Sequence, residues 1–136
     1  MASIDDCKMV ELKKVGSDKG SLTFIENEES APFDVKRVYF TYDIPTEAVR
    51  GGHAHIEQHE LVFAASGSFE IVLDDGNKAK TVFLNNPRKG LHIIPGIWRE
   101  LKSFSTGSVV LVMASDAYDE DDYIMDYNQF IHDRSN

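Results

Sequence analysis

Short runs of alternating apolar and polar residues, separated by turn-forming residues, recur along the whole chain. Residues 35–42 are rich in β-branched and aromatic side chains and predict a strand. Alternation along this strand places Arg37 and Tyr39 on one face and the intervening apolar side chains on the other. The same reasoning predicts strands at residues 8–14, 21–26, 59–65, 68–73, 80–84, 92–94, 98–104 and 108–114.

The segments between these strands carry glycine, proline, asparagine and aspartate. The clearest hairpin signal is Asp-Asp-Gly-Asn at residues 74–77, whereas residues 16–20 and 85–90 predict turns and residues 45–52 predict a loop. Because turns recur about every eight to twelve residues, the pattern predicts an all-β sandwich or barrel. For residues 118–136 two interpretations stay open, a short helix that begins at an acidic run or a solvated acidic tail.

Composition narrows the class of protein. The 136 residues suit one domain, and 14 basic against 23 acidic residues give a formal charge of −9, which argues against nucleic acid as a partner. A small phosphorylated ligand needs only two or three well-placed cations and stays compatible. Cys7 is the single cysteine, and no apolar run approaches the ~20 residues of a membrane span, so we expect a cytoplasmic protein without a leader peptide.

One stretch concentrates the reactive side chains, namely Arg-Gly-Gly-His-Ala-His at residues 50–55. His53 and His55 are two positions apart, so an extended backbone projects both rings from the same face, where they can serve one substrate or one metal ion. The alternative is a chance pair on a solvated strand. We therefore treat these two histidines as the candidate chemical centre.

Several longer strings resemble one family. His53 and His55 with Glu60 and Gly67 resemble the first cupin motif, and residues 90–96 resemble the second. More specific strings resemble the bacterial sugar-nucleotide 3,4-ketoisomerases; they are residues 20–26 (GSLTFIE), 36–39 (KRVY), 50–55 (RGGHAH), 72–76 (VLDDG), 95–100 (PGIWRE) and 114–120 (ASDAYDE). The resemblance runs from about residue 8 to about residue 131. It implies a cupin double-stranded β-helix, or jelly roll, as a single domain over residues 1–136.

The family's chemistry is implied with the fold. Its members convert dTDP-4-keto-6-deoxyglucose into a dTDP-3-keto-6-deoxyhexose through an enediol, by acid–base catalysis without a metal or another cofactor. The resemblance makes His53, His55 and Tyr39 the catalytic residues. An imidazole can take or give a proton near neutral pH, and the sequence leaves open which histidine is the base.

A metal site is the competing interpretation of the histidine pair. Two histidines, a carboxylate such as Glu60 and a further histidine from the second motif would form a mononuclear cupin site. At that last position the sequence has Ile97-Trp98-Arg99, and a guanidinium repels a cation. We therefore predict no metal.

Five further residues are candidates for substrate binding. Arg37 and Arg50 suit a pyrophosphate because a guanidinium binds phosphate oxygens in pairs. The resemblance makes Lys19 and Arg99 the residues that determine the configuration of the product at C4. Arg99 resembles the enzymes that give the gluco configuration, whereas Lys19 fits the enzymes that give the galacto configuration about equally well. Trp98 is expected either to cover the sugar or base or to fill the core.

The resemblance also implies partners and a pathway. It predicts a homodimer that exchanges N-terminal strands within residues 8–26 and brings Lys19 to a neighbouring active site. The product would enter deoxyamino-sugar biosynthesis, for example toward an O-antigen. Two alternatives stay open, a cupin resembling the sugar-nucleotide 3,5-epimerases and a non-catalytic cupin that binds a sugar nucleotide or a metal.

Overall fold

The computed structural model describes residues 1–135 and consists almost entirely of antiparallel strands. Twelve strands are present among these residues, with 3₁₀ turns at Ile4–Asp6 and Glu120–Asp122 and one α-helix, α1, at Tyr127–Ser135. The strands are β1 (Met9–Glu11), β2 (Lys14–Ser17), β3 (Gly20–Thr23), β4 (Arg37–Thr41), β5 (Arg50–His55), β6 (Glu60–Ser66), β7 (Phe69–Asp74), β8 (Ala79–Leu84), β9 (Lys89–Ile93), β10 (Trp98–Lys102), β11 (Val109–Ala114) and β12 (Tyr123–Ile124).

Two five-stranded sheets face each other. One has the strand order β1-β9-β6-β11-β4 and the other β12-β5-β10-β7-β8. Neighbouring strands in each sheet are mostly distant in the sequence, which is the arrangement of a double-sheet jelly roll. The predicted all-β cupin jelly roll is confirmed.

The main core fills the space between the two sheets. Along β7, Phe69, Ile71 and Leu73 are fully buried while the alternate residues are partly exposed. They pack against Val62 of β6 and Val112 of β11 from the opposite sheet. Fully burying a side chain of this size contributes about 1.5–3 kcal/mol relative to leaving it in water, so these contacts hold the sheets face to face.

Strand boundaries differ from the predictions at glycines. The predicted loop at residues 45–52 ends earlier, because β5 already begins at Arg50 and includes Gly51 and Gly52 at φ angles of 87° and 59°. A side chain at Gly51 would place its Cβ 3.0 Å from the Arg99 carbonyl oxygen, so only glycine lets β5 approach β10 this closely. In the same way β2 and β9 extend into the predicted turns at residues 16–20 and 85–90.

The C-terminal segment contains a short helix, but α1 begins at Tyr127 and not at the acidic run. The acidic run forms the Glu120–Asp122 turn, in which the Asp119 side chain accepts the Asp121 N–H, and the chain then pairs with β5 through β12 before it enters α1. Phe130 of α1 is buried against Ala54 and Trp98. No helix among the described residues is long and apolar enough to cross a membrane.

The hairpin of β2 and β3 projects from this body. Among the described strands these two pair only with each other, and their apolar residues Val15 and Leu22 are more than half exposed. An isolated two-stranded hairpin is marginally stable in water, so this segment lacks the packing that the rest of the chain has.

Candidate active site

A cavity of about 320 Å³ lies between the sheets and is lined by residues of both. It receives alternate side chains from β4, β5, β6, β10 and β11, because residues two apart on a strand share a face. The polar groups around it are contributed by Arg37, Tyr39, Thr41, Arg50, His53, Glu60, Arg99 and Tyr123.

His53 presents an unoccupied ring nitrogen to this cavity. Its Nδ1 lies 3.1 Å from the Gly51 carbonyl oxygen, which can only accept a hydrogen bond, so Nδ1 carries the proton. Nε2 is buried and has no hydrogen-bond partner among the described residues. Burial, together with the nearby Arg99 charge, lowers the pKa of His53 to about 4. At neutral pH this imidazole is uncharged and can accept a proton at Nε2.

His55 lies deeper, between two carboxylates. The side chain is 0% exposed, with Nδ1 3.0 Å from Asp122 Oδ2 and Nε2 3.5 Å from Glu60 Oε2. Tyr123 pairs with His55 across β12 and β5, and its ring contacts the imidazoles of both His55 and His53. His55 does not itself line the cavity, but it contacts the cavity residues Glu60, His53 and Tyr123.

Glu60 connects the polar groups of the site. Its Oε2 accepts hydrogen bonds from the Tyr39 hydroxyl at 2.9 Å and the Gln58 amide at 3.0 Å, and its Oε1 accepts one from Arg99 at 2.6 Å. Burial acts to raise the pKa of the Glu60 carboxyl, but the nearby His55 ring, the Arg99 guanidinium and the Tyr39 hydroxyl lower it below its usual range. Glu60 is therefore a carboxylate whose charge is balanced inside the protein.

Tyr39 remains a phenol in this setting. Burial is the largest cause that raises its pKa, and the negative charge of Glu60 and the hydrogen bond to it raise the pKa further. Tyr39 is partly buried and pairs with Val112 of β11, which holds its ring against the cavity wall. A phenol of this kind donates a hydrogen bond to a developing oxyanion rather than giving up its proton outright.

Arg99 supplies a positive charge at the base of the cavity. It is 1% exposed, and besides Glu60 it donates from Nε and Nη2 to the Ile97 carbonyl oxygen at 3.2 and 3.0 Å. His53, His55 and Glu60 each offer one ligand atom within 4.8 Å of the others, which is a set that could hold a metal ion. The Arg99 guanidinium, bonded to the only carboxylate of that set, already compensates its charge and would repel a cation.

Arg37 and Arg50 both line the cavity. Arg37 donates to Gln58 Oε1 at 3.1 Å, and its guanidinium lies 5.2 Å from the centre of the Tyr39 ring and 5.5 Å from that of Tyr118. Its Nε is buried without a partner among the described residues. Arg50 is exposed at the beginning of β5. Both arginines have donors that remain available to a ligand.

Comparison with known proteins places this site in a family. The family described as FdtA: WxcM-like, C-terminal matches residues 5–135. The TDP-4-oxo-6-deoxy-alpha-D-glucose-3,4-oxoisomerase of Aneurinibacillus thermoaerophilus is 41% identical over 123 residues, which cover 90% of this chain and 88% of that protein. The chain belongs to this family of 3,4-ketoisomerases. The predicted family and its enzyme class, an isomerase, are confirmed.

Solved structures of ketoisomerases superpose closely on the chain. A 3,4-ketoisomerase from Helicobacter canadensis is 40% identical with a TM-score of 0.93, and the match covers 96% of this chain and 98% of that one. A mutant of the 3,4-ketoisomerase QdtA from Thermoanaerobacterium thermosaccharolyticum, in complex with TDP-4-keto-6-deoxyglucose, is 36% identical. Its TM-score is also 0.93, with 96% of this chain and 94% of that chain covered.

Two predicted ketoisomerase site residues lie away from this cavity. Trp98 is 7% exposed and packs against Tyr127 and Phe130 of α1, on the face of β10 opposite to its neighbour Arg99. Within this chain it fills the core and does not contact the cavity, since adjacent residues on a strand point to opposite sides. Lys19 is exposed in the turn that joins β2 to β3.

Sequence reasoning missed several residues of the ketoisomerase site. Glu60 was considered only as a metal ligand, and Gln58, Asp122 and Tyr123 were not considered for the site. A signal for Gln58 and Glu60 was their two-residue spacing just before and at the start of β6, soon after His55. Asp122 lies 67 positions from its partner His55, and no local pattern links the two.

Proposed function

We propose that this protein converts dTDP-4-keto-6-deoxyglucose into a dTDP-3-keto-6-deoxyhexose through an enediol, without a metal. The observation that carries the proposal is the arrangement at the cavity, where an uncharged imidazole with an unoccupied Nε2 lies beside a phenol, a carboxylate and a guanidinium. Relatives that are 3,4-ketoisomerases match nearly the whole chain, and one of them has been solved in complex with TDP-4-keto-6-deoxyglucose, which supports the substrate.

His53 is the base in this proposal. The C3 proton of the substrate is acidified by the neighbouring C4 ketone, and Nε2 of His53 takes it. The electron pair of the C3–H bond then forms the C3=C4 double bond, while the carbonyl electrons move onto the C4 oxygen. A proton on the C4 oxygen gives the enediol. Transfer of a proton to C4 and loss of the proton from the C3 hydroxyl then complete the shift, so that the ketone ends at C3 and a hydroxyl at C4.

Tyr39 stabilises the oxygen on which charge develops. Its hydroxyl turns from Glu60 to the enediolate oxygen, and the buried Arg99 guanidinium adds a fixed positive charge close by. Glu60 and His55 lie behind Tyr39, so we assign His55 the role of proton relay toward C4. A cavity of about 320 Å³ is near the lower end of small-molecule sites, which suits a sugar more than a whole nucleotide.

Arg37 and Arg50 bind the diphosphate in this proposal. Both arginines line the cavity; Arg50 is exposed, and Arg37 has a buried Nε without a partner among the described residues. The configuration of the product at C4 is assigned to Arg99 together with Lys19 of a neighbouring subunit. A cytoplasmic location is supported by the single Cys7, which fits a reducing compartment.

A homodimer completes the proposal. An apolar stripe is more than half exposed along the edge strand β4; it consists of Val38 and Phe40 of β4 and of Tyr42, which follows the strand. The β2–β3 hairpin exposes Val15 and Leu22 as well, and exchange of this hairpin between two copies would bury both surfaces. Analytical ultracentrifugation of the protein and of a Phe40→Asp variant tests this, since the variant should sediment as a monomer and a monomeric wild type would contradict it.

Proton NMR of chelator-treated protein with dTDP-4-keto-6-deoxyglucose in deuterated water tests the activity. We expect a 3-keto product, with the coupling at C4 giving its gluco or galacto configuration. A reaction that needs an added divalent metal would contradict the metal-free mechanism. Deuterium at C5 without a 3-keto product would identify a 3,5-epimerase, and binding without turnover would identify a binding protein.

A further inference from the structure

Asp122 holds the ring of His55 from the side opposite to Glu60. Its Oδ2 lies 3.0 Å from His55 Nδ1, and the Asp122 side chain is 9% exposed. Asp122 does not line the cavity, and His55 is its only side-chain hydrogen-bond partner among the described residues. Its direct effect on a group that can transfer protons is therefore on His55.

Backbone amides fix the Asp122 carboxylate independently of His55. Oδ1 accepts the Glu57 N–H at 2.7 Å, Oδ2 accepts the Gln58 N–H at 3.2 Å, and the Asp122 carbonyl accepts the Ile56 N–H at 3.0 Å. The turn that carries Asp122 is itself capped by Asp119. Because these donors belong to the corner between β5 and β6, the carboxylate is rigidly placed beside the imidazole.

The carboxylate determines which nitrogen of His55 is protonated. A carboxylate only accepts hydrogen bonds, so His55 Nδ1 must carry a proton toward Asp122. Nε2 is then the atom that gains or loses a proton, and it faces Glu60 at 3.5 Å. Glu60 in turn accepts the hydroxyl hydrogen of the cavity residue Tyr39.

We propose that Asp122 is a positioning residue of the isomerase, which fixes the ring orientation and the Nδ1-protonated form of His55. This inference rests on the proposed function, because it assumes that Nε2 of His55 relays a proton toward C4 of the substrate. The C-terminal acidic run, which is solvated elsewhere, thereby contributes one residue that supports the chemistry of a strand in the middle of the chain.

An Asp122→Asn variant tests this inference, with Asp121→Asn as the control. Asp121 lies in the same turn, is exposed, and changes the charge equally without facing His55. In Asp122→Asn the amide oxygen keeps the close Glu57 N–H, so its NH₂ faces His55 and drives the proton from Nδ1 to Nε2. We expect kcat to fall about 10–100-fold with KM changed less than about 3-fold, whereas Asp121→Asn keeps both.

Long-range proton–nitrogen NMR of protein labelled with nitrogen-15 histidine supplies the second measurement. The inference requires protonated Nδ1 at His55 in the wild type and protonated Nε2 in Asp122→Asn. An unchanged kcat, or a lower kcat with the proton still on Nδ1, would overturn it. If Asp122→Asn does not fold, the wild-type spectrum decides alone, since an unprotonated Nδ1 in the wild type is incompatible with the inference.

The two proposals fail in distinguishable ways. If the wild type does not isomerise dTDP-4-keto-6-deoxyglucose, the proposed function fails, and the NMR comparison still tests the position of the proton. If the wild type is active and Asp122→Asn matches it in kcat, only the positioning role fails.

Discussion

The protein contains two pairs of neighbouring histidines, and only one of them has the surroundings of a catalytic site. His53 and His55 lie two apart on β5, beside the cavity and among Glu60 and Arg99. His59 and His92 lie on the other sheet, with His59 Nδ1 2.9 Å from His92 Nε2. The Phe33 ring packs against both of these imidazoles, with centroids 5.7 and 5.4 Å away.

Burial does not distinguish the pairs. It lowers the pKa of His53 to about 4 and, aided by His59, that of His92 to about 4 as well. The difference lies in the partners, because one ring nitrogen of His59 is bonded to one of His92, whereas His53 lines the cavity and its Nε2 has no partner among the described residues. A depressed histidine pKa is thus weak support for catalysis unless an available nitrogen and charged neighbours accompany it.

Replacement of the proposed base, His53, should have the largest effect that distinguishes the two histidine pairs. Replacing His53 by Asn removes the nitrogen that accepts the C3 proton, so kcat should fall on the order of 10³-fold. The matched change His92→Asn removes one member of the other pair and should leave kcat within about 2-fold. Both values come from the NMR assay of 3-keto product at saturating substrate.

Each outcome of this comparison is informative about the site. Equal losses in the two variants, with both proteins folded by circular dichroism, would contradict the assignment of His53. A 10³-fold lower kcat in His92→Asn alone would indicate that the catalytic site includes His59 and His92 instead of His53.

The second effect is the loss of the phenol. Tyr39→Phe removes the hydroxyl that is proposed to stabilise the enediolate, and kcat should fall on the order of 10²-fold. Glu60 keeps its bonds to Arg99 and Gln58, so the fold should persist. The control is Tyr127→Phe, which removes an exposed hydroxyl bonded to Asp74. If the two variants retain the same kcat, the role of Tyr39 is wrong.

The period of the strands explains how far sequence analysis reached. Residues two apart share a face, so His53 with His55 and Arg37 with Tyr39 could be grouped from the sequence alone, and the structure places Arg37, Tyr39 and His53 around one cavity. The same rule separates Trp98 from Arg99. The fold followed from turn spacing and from the resemblance of six strings in order.

Contacts between distant segments could not be predicted in this way. The acidic run at residues 119–122 has the composition of a helix start or of a solvated loop, and nothing local shows that Asp122 turns inward toward His55. Glu60 was recognised as a carboxylate near the histidines, but its partners Tyr39 and Arg99 come from strands 21 and 39 residues away. Such contacts depend on sheet order, which the hydrophobic pattern does not encode.

The smallest expected effect is one that the two pairs share, a loss of stability in mild acid. The native pKa of both His53 and His92 is about 4, against 6.5 as the ordinary value, so between these limits the unfolded chain binds protons that the native protein does not. The free energy of unfolding must therefore fall as the pH decreases from about 6.5 toward 4. Each histidine should account for roughly 1 kcal/mol of the loss between pH 7 and 5.5.

Urea denaturation of the wild type and of the single variants His53→Asn and His92→Asn at pH 7 and pH 5.5 measures this loss. Each variant should lose less stability than the wild type over this interval, and by similar amounts, although only His53→Asn is catalytically impaired. The ordinary pKa of Glu60 is 4.5, so the stability that its lowered native pKa provides is lost mainly below this interval. If His92→Asn loses as much stability as the wild type, protonation of His92 is not linked to folding. The two histidine pairs then differ in titration as well as in chemistry.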